Sequence, residues 1–175
     1  MDTLFEDLAT AGTAKVDRNV HDLGFRLRHV GVAVPKIGPA TDILEKLFGY
    51  RVISGPFDDP IQRVTVNFLT HSPDDVAEIE LIAPLTADSP VQAMLNKNSG
   101  GAYHLCFETS DMEAALEHAK SLGCVVVSAP EPAVAFEGRR IAWIYSPNRQ
   151  LFELVESSLS TPAGSPAPPT HADGK

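Results

Sequence analysis

The sequence predicts an α+β fold built from two tandem βαβββ modules, and three observations predict it. A polar residue interrupts each of four strand-like runs: His29 in Leu27 to Val34, Glu80 in Glu78 to Ile82, His104 in Tyr103 to Phe107, and Glu153 in Leu151 to Val155. The two pairs have nearly equal spacing, 51 residues from 29 to 80 and 49 from 104 to 153. The same succession of strand, helix closed by glycine, and three further strands lies between the members of each pair. A duplicated unit whose halves each supply two ligands to one metal produces this pattern.

The first module spans residues 25–84. Val30, Val32 and Val34 alternate with His29, Gly31 and Ala33, the period of a strand. Pro35 ends that strand. Ile43, Leu44 and Leu47 lie on one stripe of a helix over 37–47, which Gly49 stops. Tyr50 to Ser54 reads as a short strand and Gly55 to Pro60 as a turn-rich loop. Arg63 to Leu69 reads as a strand, Ser72-Pro73-Asp74-Asp75 as a turn, and Glu78 to Ile82 as the fourth strand. Residues 85–100 connect the modules, and Asp88-Ser89-Pro90 is suited to open a short helix carrying Val91, Met94 and Leu95.

The second module spans residues 101–157. Tyr103 to Glu108 is a strand, Asp111 is suited to cap a helix over 112–122, and Gly123 closes it. Cys124 to Ser128 is a strand, followed by a Pro-rich loop through Gly138. Arg139 to Tyr145 and Leu151 to Val155 complete the βαβββ order. Residues 1–24 form an N-terminal extension in which Leu4, Phe5 and Leu8 have loosely helical spacing. Residues 158–175 are rich in Ser, Pro, Thr, Ala and Gly, and too poor in large apolar groups to order themselves, so they read as a disordered tail.

Composition narrows the function. A net charge of −9 argues against nucleic acid as a partner. No run of 18 apolar residues exists and the first twenty lack a secretory pattern, so a cytoplasmic protein with no membrane span is expected. Cys106 and Cys124 read as small core residues of a reduced compartment.

Parity then assigns the faces. Val30, Ile79, Leu81, Leu105, Phe152 and Leu154 flank the four polar residues and face the opposite side, under the helices. His29, Glu80, His104 and Glu153 are thereby directed to one inner face, where a glutamate is costly unless paired or metal-bound. Two imidazoles and two carboxylates suit Co²⁺, Ni²⁺, Mn²⁺, Zn²⁺ or Fe²⁺, and the ligand set does not choose among them.

The stretches His29-Val-Gly-Val-Ala-Val-Pro35, Glu80-Leu-Ile-Ala-Pro-Leu85, Asp88-Ser-Pro-Val91, Gly100-Gly-Ala-Tyr-His-Leu105, Gly138-Arg-Arg-Ile-Ala-Trp143 and Phe152-Glu-Leu-Val-Glu156 carry a resemblance. Over about residues 26–157 the chain resembles the vicinal oxygen chelate superfamily, and within it the methylmalonyl-CoA epimerase type. The resemblance implies a U-shaped half-barrel in which His29, Glu80, His104 and Glu153 bind a divalent metal. It implies abstraction of the proton α to an acyl thioester such as a CoA thioester, with Glu153 or Glu80 as the base, and a homodimer. The chain departs from the epimerase pattern at Tyr103, over 146–150, and over Gln62 to Asn67, which contains no glutamate. A glyoxalase-type lyase, an extradiol-type dioxygenase and a non-catalytic small-molecule binder remain alternatives on the same fold.

Four further residues are candidate substrate contacts. Gln62 and Asn67 either orient a polar substrate or are exposed strand residues. Arg139 and Arg140 either clamp a carboxylate or phosphate, with only one of them facing the cavity, or form a surface charge pair.

Overall fold

The strands form one open, mixed eight-stranded sheet in the order β2-β3-β4-β1-β5-β8-β7-β6. The computed structural model describes residues 20–158; the expectations for residues 1–19 and for the tail from 159 onward lie outside the described residues. The elements are β1 (Arg26–Ala33), α1 (Ile37–Phe48), β2 (Arg51–Asp59), β3 (Val64–Thr70), β4 (Glu78–Pro84), α2 (Gln92–Asn98), β5 (Gly101–Thr109), α3 (Met112–Ser121), β6 (Val125–Pro132), β7 (Arg140–Tyr145) and β8 (Leu151–Glu156). The order βαβββ occurs twice, with α2 in the connector.

The two halves mirror each other across the central pair. β1 runs parallel to β4, and β5 runs parallel to β8. β1 and β5 meet antiparallel and join the modules. Each first strand thus lies beside the last strand of its own module, which brings a histidine strand next to a glutamate strand twice.

Helix boundaries follow local chemistry. Gly49 takes the left-handed conformation (φ 73°) that closes α1, and its N–H donates to the Glu45 carbonyl. The Asp111 carboxylate accepts from the Ala114 N–H at 3.0 Å and caps α3. α3 covers the outer face of the second module, where Met112, Ala115, Leu116 and Ala119 pack on Ala142, Ile144 and Leu154. α1 is less covered, and Ile43, Leu47 and Phe48 on it are exposed.

Two segments read as loops are strand. β2 continues through Gly55-Pro56 to Asp59, and β6 continues through Pro130 to Pro132. Both are edge strands with register shifts. An edge strand leaves one side of its backbone unpaired, so it accommodates proline that a central strand would reject.

The inner face holds the main core: Ala33, Val64, Val66, Phe68, Ile82, Val91, Cys106, Phe136, Ile141 and Val155. The sheet curves over this face far enough for its two ends to touch. The Val134 N–H donates to Asp59 Oδ2 at 3.4 Å, and the Trp143 indole N–H donates to Gln62 Oε1 at 3.2 Å. Both bonds join module one to module two across the inner face.

Candidate metal centre and substrate chamber

His29 stands in the middle of β1 and is fully buried, with its ring edge-on to Phe68 and stacked on Phe136 at 5.9 Å. Gly31 follows it on the same face. A Cβ at Gly31 would lie 2.2 Å from His104 Cε1, so the absence of a side chain there makes room for the second imidazole. Glu80 on β4 and Glu153 on β8 are buried at 6% and 3% exposure.

These four side chains converge. His29 Nε2 lies 2.9 Å from His104 Nε2, and 3.1 Å from both Glu80 Oε2 and Glu153 Oε2. His104 Nε2 lies 3.3 Å from Glu80 Oε2 and 3.4 Å from Glu153 Oε2. Ligand atoms about 2.0–2.2 Å from one ion stand roughly 3.0–3.4 Å apart in octahedral or tetrahedral arrangement, and the observed separations match. One potential ligand atom from each residue falls within 4.8 Å of the others. Glu153 Oε2 is buried and faces the two imidazole Nε2 atoms, so a cation placed among the four residues would be shared by all of them. Two carboxylates with two neutral imidazoles carry −2, which a divalent cation balances. The donor set therefore fits a divalent metal.

Protons partly fill that role in the metal-free protein. Burial works against a charged imidazole at His29, yet Glu80 and Glu153 outweigh it and raise its pKa to about 10. His104 is raised in the same way, against the same burial. Burial also disfavours ionised Glu80 and Glu153, but the two imidazoles overcome it and hold both carboxyls below their ordinary range.

A cavity of about 230 Å³ opens onto the cluster. Val64, Val66, Ile82, Val91, Phe136 and Ile141 make its apolar walls, and Gln62, Tyr103 and Asp59 are among its polar groups. Gln62 thus reaches the chamber. Asn67 does not line it: it is buried, and its Nδ2 donates to Thr41 Oγ1 on α1. The two arginines are also outside the chamber lining. Arg139 donates to the Glu156 carbonyl at 2.8 Å and lies over the Phe136 ring. Arg140 pairs with Glu156 and with Glu113 of α3.

Three chamber residues are not among the candidate site residues read from the sequence. Tyr103 is brought to the chamber by a bulge, since Val32 pairs with Ala102 while Gly31 pairs with His104. Its hydroxyl is pushed up by burial. Asp59, at the end of β2, accepts from the Ile61 and Gln62 N–H groups at 2.9 Å and reaches Val134 of the other module. Trp143 sets its ring edge-on to His104 at 4.8 Å. Only the aspartate had a local signal, the turn-forming Asp58-Asp59-Pro60 run.

Two four-stranded halves and an inward His/Glu cluster define a class of protein, and comparison with known proteins agrees. Residues 28–143 match the family described as Glyoxalase/Bleomycin resistance protein/Dioxygenase superfamily. The chain belongs to that superfamily. Among curated relatives it is 36% identical over 121 residues to the ethylmalonyl-CoA/methylmalonyl-CoA epimerase of Cereibacter sphaeroides, covering 69% of this chain and 87% of that protein. The crystal structure of methylmalonyl-CoA epimerase from Mycobacterium tuberculosis superposes with a TM-score of 0.68 at 27% identity, covering 76% of this chain and 88% of that one. A variant of the Streptomyces coelicolor methylmalonyl-CoA epimerase in complex with 2-nitronate-propionyl-CoA gives a TM-score of 0.66 at 26% identity, covering 76% and 97%. These relatives support an epimerase on this fold. No described helix is long and apolar enough to cross a membrane.

Proposed function

We propose that the protein is a metal-dependent epimerase that inverts the carbon α to an acyl thioester, with a CoA thioester as substrate. The observation that carries this reading is the buried His29–Glu80–His104–Glu153 cluster, whose donor atoms stand at the spacing of one coordination shell. A divalent ion held by these four residues supplies Lewis acidity toward the thioester carbonyl and lowers the cost of an enolate.

The chain's own residues do the rest. Glu153 and Glu80 enter from different modules, on β8 and β4. Glu153, displaced from the ion or only weakly bound to it, takes the α proton, and the C–H electron pair moves into the thioester to form the enolate. The Glu153 carboxylic acid so formed returns a proton to the opposite face once the planar enolate has turned, while Glu80 stays a ligand. The apolar walls exclude water from the enolate, which protects it from uncontrolled protonation. The relatives' names supply the CoA thioester, and two of the matched structures' ligands are of that class. We also propose a homodimer, for which the exposed Ile43, Leu47 and Phe48 of α1 offer an apolar face.

The test is α-proton exchange. The purified protein, loaded in turn with Co²⁺, Ni²⁺, Mn²⁺, Zn²⁺ and Fe²⁺, is incubated with an alkylmalonyl-CoA in D₂O. Deuterium at the α carbon together with loss of optical purity supports the reading. No exchange with any ion, in protein that binds one metal per chain, overturns it.

A further inference from the structure

The orientation of one side-chain amide in the chamber is fixed by its neighbour. Gln62 lies in the turn between β2 and β3, and Asp59 Oδ1 pins that turn by accepting from the Gln62 backbone N–H at 2.9 Å. The Gln62 side chain reaches across to β7, where its Oε1 accepts from the Trp143 indole N–H at 3.2 Å. An indole nitrogen only donates, so the carboxamide oxygen must face it. The Gln62 –NH₂ group is then turned away from Trp143 and makes no hydrogen bond with any described residue. Gln62 and Trp143 both line the chamber, and no lysine or arginine does.

We propose that Gln62 is a specificity residue whose Nε2 donates to a free carboxylate carried on the α carbon of the acyl group. Trp143 is the positioning residue that presents this donor. The site accordingly selects malonyl-type thioesters over simple acyl thioesters. This rests on the thioester reading above and says which group of the thioester is recognised. The reacting carbonyl belongs beside the His/Glu cluster. Trp143 sets its ring edge-on to His104 and donates its N–H to Gln62, so Gln62 addresses a second oxygen-bearing arm beside the one at the cluster. With no lysine or arginine in the lining, an oriented amide hydrogen bond would hold that arm beside the ion the cluster would bind. An acyl group without the carboxylate leaves the amide unpaired in an apolar chamber, which disfavours its binding.

The experiment is calorimetric titration of the metal-loaded full chain with malonyl-CoA and with acetyl-CoA, read as the ratio of their dissociation constants. Wild type should prefer malonyl-CoA. Gln62→Glu keeps an acceptor for Trp143 but replaces the donor with a carboxylate; Gln62→Met removes both polar atoms at similar size. Each should reduce the preference by about ten- to a hundredfold, the worth of a hydrogen bond to a charged group, with acetyl-CoA affinity nearly constant. Trp143→Phe should reduce the preference several-fold, because the amide is free to turn. An unchanged ratio in both Gln62 variants overturns the proposal, and so does a wild type without preference. If neither thioester binds to wild type, the thioester reading falls and takes this assignment with it. If both bind and the ratio shifts as stated, but no alkylmalonyl-CoA exchanges its α proton, the Gln62 assignment stands and the epimerase reading falls.

Discussion

The Nε2 atoms of His29 and His104 lie 2.9 Å apart although 75 positions separate the residues in the chain. The antiparallel pairing of β1 with β5 creates that approach, by setting Gly31 opposite His104. Two imidazole nitrogens so close cannot both carry protons directed at each other, and both face the same two carboxylates. One cation suits all four groups better than protons do.

Metal content follows directly. Wild type is expected to bind close to one divalent ion per chain, and His104→Ala or His29→Ala almost none. Elemental analysis after dialysis reads this, and a variant that retains a full equivalent would show that the ion binds elsewhere.

The two glutamates should separate in function. Glu153→Gln is expected to remove α-proton exchange, a loss of at least about a hundredfold for a proton-transfer group. Glu80→Gln is expected to lose less, because an amide oxygen can still coordinate. Deuterium incorporation under single-turnover conditions measures both, and parental rates in both variants would rule out this cluster as the site of proton transfer.

Gly31 tests the packing behind the ligands. Its backbone needs no left-handed conformation, but an added Cβ would overlap the His104 ring at 2.2–2.8 Å. Gly31→Ala should therefore lose metal although every ligand remains, and should destabilise the fold by about 1–3 kcal/mol as overpacking does. Metal stoichiometry and thermal unfolding read the two effects separately.

The stability of the metal-free protein should have an optimum in pH. The folded pKa of His29, about 10, exceeds its ordinary value of 6.5, so its contribution is complete below about pH 6.5 and is lost as pH rises through about 10. Glu80 and Glu153 have the opposite sign: lowered below 4.5, they contribute above that value and lose the contribution as pH falls beneath it. The melting temperature should peak between about pH 4.5 and 6.5 and fall on both sides. Divalent metal should abolish the alkaline decline, because its binding displaces the shared protons. A metal-free melting temperature that stays level up to pH 10 would contradict this arrangement.

Much of this protein is legible in its sequence because β-strands alternate with a period of two. That period assigns His29, Glu80, His104 and Glu153 to one face, and repetition of the pattern pairs them. Helix signals are equally local, which is why Gly49 and Asp111 mark their helix ends in both sequence and structure. Edge position is not local: β2 and β6 tolerate Pro56, Pro130 and Pro132 because, among the described residues, no further strand pairs beyond them.

The tertiary structure alone decided what the rest of the chamber contains. Asn67 is as polar as Gln62 and five residues away, yet it bonds Thr41 under α1, while Gln62, in the turn ahead of that strand, reaches Trp143 across the sheet. Arg139 and Arg140 found carboxylates of their own on neighbouring elements. A single bulge brought Tyr103 beside His104. Each outcome depends on curvature, register or a partner far along the chain. Sequence periodicity carries which face a residue takes, and only the folded sheet fixes what that face meets.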